Sequence, residues 1–315
     1  MGKESDAMME YLKNNERFAD LFNGSYFQGN QVIKAEELQE GSEVYKEDAG
    51  EKSTTRTRDV KKRLKSGGNL KVLAIENQNL TDYAIPWRHM NYDVLEYGRQ
   101  IKEIKKKNKD NKKLHTSSER MCGLIETDRL APAFTLCLYH GEDKWRGPRS
   151  LKDMMDFGED KELWEQVFSD YQMKLICLNE MDDFSQFHSS LKQLFQLLAF
   201  RKDKKKLKEL LEEDASYQDM DEETADVVST LMGVEKEMAK KDNGEDGYNM
   251  CTAIREMLEE SRLEGRQEGR QEGRWEERGE IVRNMLNNGL TCEKVAELTG
   301  IALAVVKRHD VMRNM

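Results

Sequence analysis

Apolar positions at Met8, Met9, Leu12, Phe18, Leu21 and Phe22 recur at helical spacing and predict a helix over 6–22, ahead of the turn-rich stretch NGSYFQGN. QVIKAEELQE follows and does not choose between helix and strand. The pattern then shortens: RTRDVKKRLKSGGNLKVLAIENQ holds two runs joined by a turn signal at Ser66–Asn69, the pattern of a β-hairpin. Pro86 opens a second helical stretch, 86–107, with Met90, Val94, Leu95, Tyr97, Ile101 and Ile104 on its apolar side, and a basic tract, KKKNKDNKK (105–113), interrupts it. AFTLCLYHG (133–141) predicts a buried strand stopped by Gly141, YQMKLICL (171–178) a second, and FSQFHSSLKQLFQLLAF an amphipathic helix. Beyond Phe200 a basic run passes into an acidic one, which predicts helices leaving the core. KKDNGEDGYN reads as a linker, and the last thirty residues give a compact helical signal.

Composition narrows the picture. In 315 residues the hydrophobic share is 37% and the charged share 36%, which favours long solvated helices around a modest core. The net charge of −10 removes any global attraction to nucleic acid, so DNA binding requires local basic patches or metal ions. Five scattered cysteines (122, 137, 177, 251, 292) form no C-x-x-C pair, and Cys137 and Cys177 read as core residues of a reduced, cytoplasmic protein. Five histidines without a pair at ligand spacing argue against a His-based metal site. The N-terminus lacks the apolar stretch of a signal peptide, and no window reaches the length of a membrane span.

The candidate chemistry lies in LAIENQN, residues 73–79. Strand side chains alternate, so Glu76 and Gln78 face one way and Asn77 the other. Asp59 sits on the first hairpin run, seventeen residues earlier, where it can meet Glu76 on one face. Two carboxylates with a nearby backbone carbonyl make a hard-oxygen site suited to Mg²⁺. Such an ion lowers the pKa of bound water and offsets charge developing on a phosphate. The plainer alternatives are a solvated strand-end carboxylate at Glu76 and a surface salt bridge from Asp59 to Arg56 or Arg58.

RDV…LAIENQN…YAIPWRHMNYD, with CGLIETDRLAPAFTLCLYHGEDKWRGPRSLKDMMDF (122–157) and the tail GLTCEKVAELTGIALAVVKRH (289–309), resembles the PD-(D/E)XK nuclease superfamily. More narrowly, the chain resembles the transposase-type, recombination-promoting nucleases of bacteria. The resemblance spans nearly the whole chain, and its specificity comes from the combination of Asp59 and the Glu-x-Gln pair with the P-x-x-x-L-x-L-Y-x-G strand and the Gly-containing tail. It implies an α/β, restriction-endonuclease-like core over 1–200, with a central mixed sheet flanked by helices. A charged helical extension and linker (201–250) and a repeat helix with a helix-turn-helix-like tail (251–315) would follow. It further implies a Mg²⁺- or Mn²⁺-dependent DNA endonuclease in which Asp59 and Glu76 ligate the metal. Gln78 would stand in the place of the superfamily lysine, able to hydrogen-bond but not to supply charge. The alternative is a degenerate nuclease fold that binds DNA or oligomerises without cutting. The superfamily's additional Glu on the first helix would be Glu16, Glu36 or Glu37. Asp82, Tyr83, Arg88 and Tyr92 are candidates to line the site, His140 lies just past a strand end, and Trp145 reads as a packing anchor.

DNA contact is expected at Lys105, Lys106, Lys107, Lys112 and Lys113, because residues 99–120 hold nine Lys/Arg against three Asp/Glu. The tail repeats every fourth residue: Arg262, Arg266, Arg270, Arg274 and Arg278 on one ridge, Glu260 through Glu280 on the other. Stacked like charges oppose a lone helix, and Gly265, Gly269 and Gly273 each cost about 1 kcal/mol relative to Ala. The ridges lie roughly 200° apart, so the Glu ridge of one copy can meet the Arg ridge of another. This predicts a homo-oligomer through the C-terminal helix; a charged spacer is the plain alternative. The final segment reads helix, Gly289, a Thr291 cap, helix, Gly300, helix, and suits either a helix-turn-helix or a packing module.

Overall fold

The computed structural model describes residues 2–41, 44–49, 52–57, 59–66, 69–241 and 247–313, with the side chains of 42–58, 66–69 and a few others set aside. The chain divides into two compact units, Met1–Ala253 and Ile254–Met315.

The first unit opens with two helices, α1 (Lys3–Leu12) and α2 (Asn15–Phe27), where the periodicity predicts one. The break falls at Asn14, whose side chain accepts from the backbone N–H groups of Glu16 and Arg17 and so starts a new helix. A short strand, β1 (Leu38–Glu40), is followed by a separate hairpin, β2 (Val44–Ala49) and β3 (Lys52–Thr57). Then come β4 (Val60–Ser66) and β5 (Asn69–Gln78), antiparallel from Val60 opposite Ile75 to Ser66 opposite Asn69. This is the expected hairpin; the Gly67–Gly68 pair at its turn lies outside the described residues.

From β5 the chain crosses through α3 (Ile85–Asp110) and the short α4 (Ser117–Cys122) into β6 (Ala133–Tyr139). It crosses again through α5 (Lys161–Val167) into β7 (Lys174–Cys177). Both crossings give parallel pairs, so the sheet, ordered β1-β4-β5-β6-β7, is antiparallel on one side and parallel on the other. The protein is thus α/β, with a five-stranded mixed sheet flanked by helices. β6 is an inner strand, between β5 and β7, and the Leu136–Tyr139 stretch is buried, as its unbroken apolar run requires.

Alternation along the strands sets the two faces. On one, Asn77 Nδ2 donates to Ser5 of α1, and Lys62 Nζ reaches Lys13 O, Asn15 Oδ1 and Glu40 at 2.6–2.7 Å. On the other, Lys61 Nζ meets Glu96 of α3 at 2.8 Å, both side chains being buried. The basic strand VKKRLK is therefore a core strand, its two ammonium groups buried because each has oxygen partners.

Helices α6 (Leu191–Phe200), α7 (Lys204–Glu213) and α8 (Glu222–Met232) complete the unit. The sequence predicts helices that leave the core after Phe200; the structure instead keeps them on it. Tyr11 of α1 hydrogen-bonds Thr224, and Arg17 of α2 pairs with Asp221 and Glu223. Leu207, Leu211, Val227 and Val228 form a buried stripe beneath the charges that dominate the composition there. Of the expected linker, residues 242–246 lie outside the described residues, while Tyr248 bridges Met220.

Helix α9 (Met250–Asn287) begins in the last residues of the first unit and carries the repeat in the second, where α10 (Cys292–Thr299) and α11 (Leu303–Arg313) follow. Thr291 caps α10 and Gly300, at φ +68°, ends it. Val282, Leu286, Val295 and Val306 make a small core between these helices. No helix among the described residues is long and apolar enough to cross a membrane.

Candidate functional site

The hairpin register brings the two predicted carboxylates to neighbouring places. Val60 pairs with Ile75, so the residue before β4, Asp59, continues the ladder toward Glu76. Asp59 is half-buried, and its Oδ2 accepts from the backbone N–H of Asn77 at 2.7 Å. Burial raises its pKa; the Asn77 N–H and the charge of Arg88 pull the other way, and Asp6 of α1 raises it further. Asp6 of α1 is an N-terminal acidic residue, outside the sequence's candidates, whose charge acts on Asp59. Any pairing of Asp59 with Arg56 or Arg58 lies outside the described side chains.

Glu76 is fully buried in the sheet, opposite Cys137 of β6. Its Oε2 accepts from Arg88 Nη2 of α3 at 2.8 Å, and the same guanidinium pairs with Asp82. Burial depresses the pKa of Arg88, but Glu76 and Asp82 outweigh it and raise the net value. Asp82 also accepts from the Ala84 N–H, fixing the loop that leads from β5 into α3. Arg88 is therefore a counter-ion common to Glu76, Asp82 and, through space, Asp59. Of the residues the sequence marks as lining the site, Arg88 and Asp82 join it, and Tyr92 lies close enough to act electrostatically on Arg88. Tyr83 turns outward, 66% exposed.

Gln78 ends β5 on the same face as Glu76, half-exposed, and its carbonyl accepts from the His140 N–H. The donors available to a divalent cation are thus the carboxylates of Asp59 and Glu76 and the amide oxygen of Gln78, all hard oxygens of the kind Mg²⁺ takes. A cationic group, the Arg88 guanidinium, already stands against one of them. The residues fit such an ion in donor type, with Arg88 as the group that would have to give way. Among the described residues no three His, Cys, Asp or Glu side chains cluster at metal-binding distance.

The basic tract occupies the other end of α3. Lys105 follows Arg88 by seventeen residues, roughly 25 Å along the helix axis. The helix runs on to Asp110 where the sequence predicts an interruption, since lysine is a good helix former. Lys105, Lys106, Lys107, Lys112 and Lys113 are all exposed. Trp145 is the expected packing anchor, 7% exposed and edge-on to Tyr139 at 5.0 Å. Cys137 and Cys177 are buried, and burial pushes the Cys177 thiol up to about 12, so neither offers a thiolate.

Comparison of the chain with protein-family models, with curated proteins and with solved structures finds no match.

Proposed function

We propose that the protein is a Mg²⁺- or Mn²⁺-dependent endodeoxyribonuclease of the recombination-promoting, transposase-like type that its sequence resembles. The observation that carries this reading is the β-hairpin register, which sets Asp59 beside the end of β5 that carries Glu76, with Arg88 bound to Glu76 and acting on Asp59 through space. Two carboxylates kept beside one cationic group form an electrostatic trap whose occupant can change. Asp59 and Glu76 would hold the ion, and Gln78, on the same strand face, would hydrogen-bond and orient the attacking water. A divalent ion there supplies a water of lowered pKa and charge to offset the phosphate. Arg88, displaced toward Asp82, would remain near enough to lend positive charge to a polyanionic substrate. The exposed lysines of 105–113 would contact phosphates farther along the duplex, compensating locally for the acidic chain. The protein would work in the cytoplasm, as a homo-oligomer joined through the repeat of α9.

The second reading, a nuclease-like fold that binds DNA or oligomerises without cutting, draws on two observations. Gln78 brings no charge, and Glu76 is engaged by Arg88 at 2.8 Å. Supercoiled plasmid separates the two. The nuclease reading expects nicking in Mg²⁺ or Mn²⁺, abolished by EDTA, slowed by Gln78→Ala and tolerated in Gln78→Lys. Retention of plasmid without nicking in either metal favours the second reading.

A further inference from the structure

A cavity of about 680 Å³ opens where the C-terminal ends of β5 and β6 meet, beyond Gln78. It is bounded by Glu4 of α1, whose carboxylate accepts from Asn79 Nδ2 at 3.5 Å, the loop after β5, the loop after β6 and Arg201 at the end of α6. The two loops touch at Gly141: a Cβ there would lie 2.3 Å from Asn79 O and 2.4 Å from Tyr139 Oη, so only glycine fits the crossing. Tyr139 Oη donates to Asp143 O at 2.8 Å and holds the second loop in place.

Three cations line this cavity, Lys144, Arg146 and Arg201, and no salt bridge to a carboxylate joins any of them among the described residues. The acids of the same loop, Glu142 and Asp143, are engaged instead by Lys202, at 3.2 and 3.4 Å. Arg201 is the telling member. It is partly buried, and one Nη2 bond to His140 O at 2.7 Å orients its guanidinium. Burial lowers its pKa, although Glu142 and Glu4 on the same cavity act the other way. A guanidinium has five donors, and a partly exposed one held by a carbonyl rather than a carboxylate can offer donors to an anion. His140 is 2% exposed and its Nε2 has no hydrogen-bond partner among the described residues. Burial and the charge of Arg201 hold its pKa down to about 4, so it is neutral and can offer a single N–H. At the rim stands Tyr83, 66% exposed, and it shares an adjoining cleft with Arg146 and Pro148. An exposed ring beside an unpaired arginine is a stacking platform for a base.

We propose that this cavity binds a nucleotide unit through its terminal phosphate, with Arg201, Arg146 and Lys144 on the phosphate and Tyr83 against the base. The phosphate can come from a free nucleoside monophosphate or from the 5′ end of a DNA strand. The site is separate from the Asp59–Glu76 pair and stands whether or not that pair hydrolyses DNA.

The test is equilibrium binding to the full chain with EDTA present. The probes are adenosine 5′-monophosphate against adenosine, and a 5′-phosphorylated thymidine oligonucleotide against its 5′-hydroxyl form. The phosphorylated member of at least one pair should bind about ten-fold or more tightly, a difference of 1.4 kcal/mol. The pair that shows the preference identifies the source. Arg146→Gln, at an exposed position that leaves the core intact, and Arg201→Gln should each erase the preference. Tyr83→Ala should weaken the nucleotide but not inorganic phosphate. Equal binding of phosphorylated and unphosphorylated probes overturns the proposal, as does a preference that survives both arginine substitutions.

Discussion

Arg88 Nη2 donates to Glu76 Oε2 at 2.8 Å, joining the second helical turn of α3 to the one fully buried carboxylate of the candidate site. In the proposed nuclease this contact has two consequences of opposite sign. Arg88 stabilises the fold, because it is a counter-ion to a fully buried carboxylate. It also competes with any metal for the same oxygen.

Arg88→Gln should therefore lower stability while raising affinity for Mn²⁺. A fully buried pair costs about 3–5 kcal/mol when one partner is removed; Arg88 is 30% exposed, so about 2–3 kcal/mol is expected. Thermal melts with and without Mn²⁺ read both effects, and the ion should raise the variant's midpoint more than that of the native chain. Equal shifts would mean that Arg88 and the metal do not share a site.

The Lys61–Glu96 pair makes a prediction about acid stability. Burial alone would raise the Glu96 carboxyl, but hydrogen bonds from Arg99, Lys61 and Gln100 outweigh it and hold the pKa at about 2. A depressed folded-state pKa means that the stabilisation is complete above the unfolded value of about 4.3 and disappears as pH falls through about 2. Urea titrations across that window should show the loss in the native chain and a flatter dependence in Glu96→Gln. Identical pH profiles would remove Glu96 from the acid response.

How much of this could be read in advance depends on where the partners lie. The β4–β5 register was legible because turn and alternation sit within one short stretch, and β6 because an apolar run bounded by Gly141 has few alternatives. The relation of Asp59 to Glu76 followed from the same hairpin. Burial of Lys61 and Lys62 was not legible: a run of Val-Lys-Lys-Arg reads as a solvated edge, and the groups that neutralise it come from α3, α2 and β1. The role of Asp6 was hidden for the same reason, since α1 meets β5 only in the folded chain. Beyond Phe200 the charges masked the leucine and valine stripe that holds α7 and α8 on the core.

The lysines at the far end of α3 should act on DNA through charge alone. Neutralising Lys105, Lys106, Lys107, Lys112 and Lys113 should weaken binding to all sequences alike, and each lost phosphate contact should reduce the log–log salt slope by about 0.9. Fluorescence anisotropy between low and moderate salt measures it. An unchanged slope would make the tract a solvated helix end.

The repeat should assemble copies of the chain. Arg266, Arg270, Arg274 and Arg278 are exposed along α9, as are Glu268, Glu276, Glu280 and Trp275, the last at 63%; the side chains of Glu260, Glu264 and Glu272 lie outside the described residues. Sedimentation of the full chain should show an oligomer that weakens as salt rises. Arg266, Arg270 and Arg274 all changed to Glu should abolish it. A monomer at tens of micromolar in low salt would leave the repeat as a spacer.

Asp59 and Glu76 together are proposed to hold a divalent ion, and calorimetric titration with Mn²⁺ reads that binding without a substrate. The native chain should bind at one site, with affinity rising with pH as the burial-raised Asp59 carboxyl ionises. Asp59→Asn and Glu76→Gln, which keep shape and hydrogen-bonding, should each weaken binding by at least about ten-fold, or 1.4 kcal/mol. Binding that is equal in the native chain and both variants would mean that these carboxylates do not hold the ion.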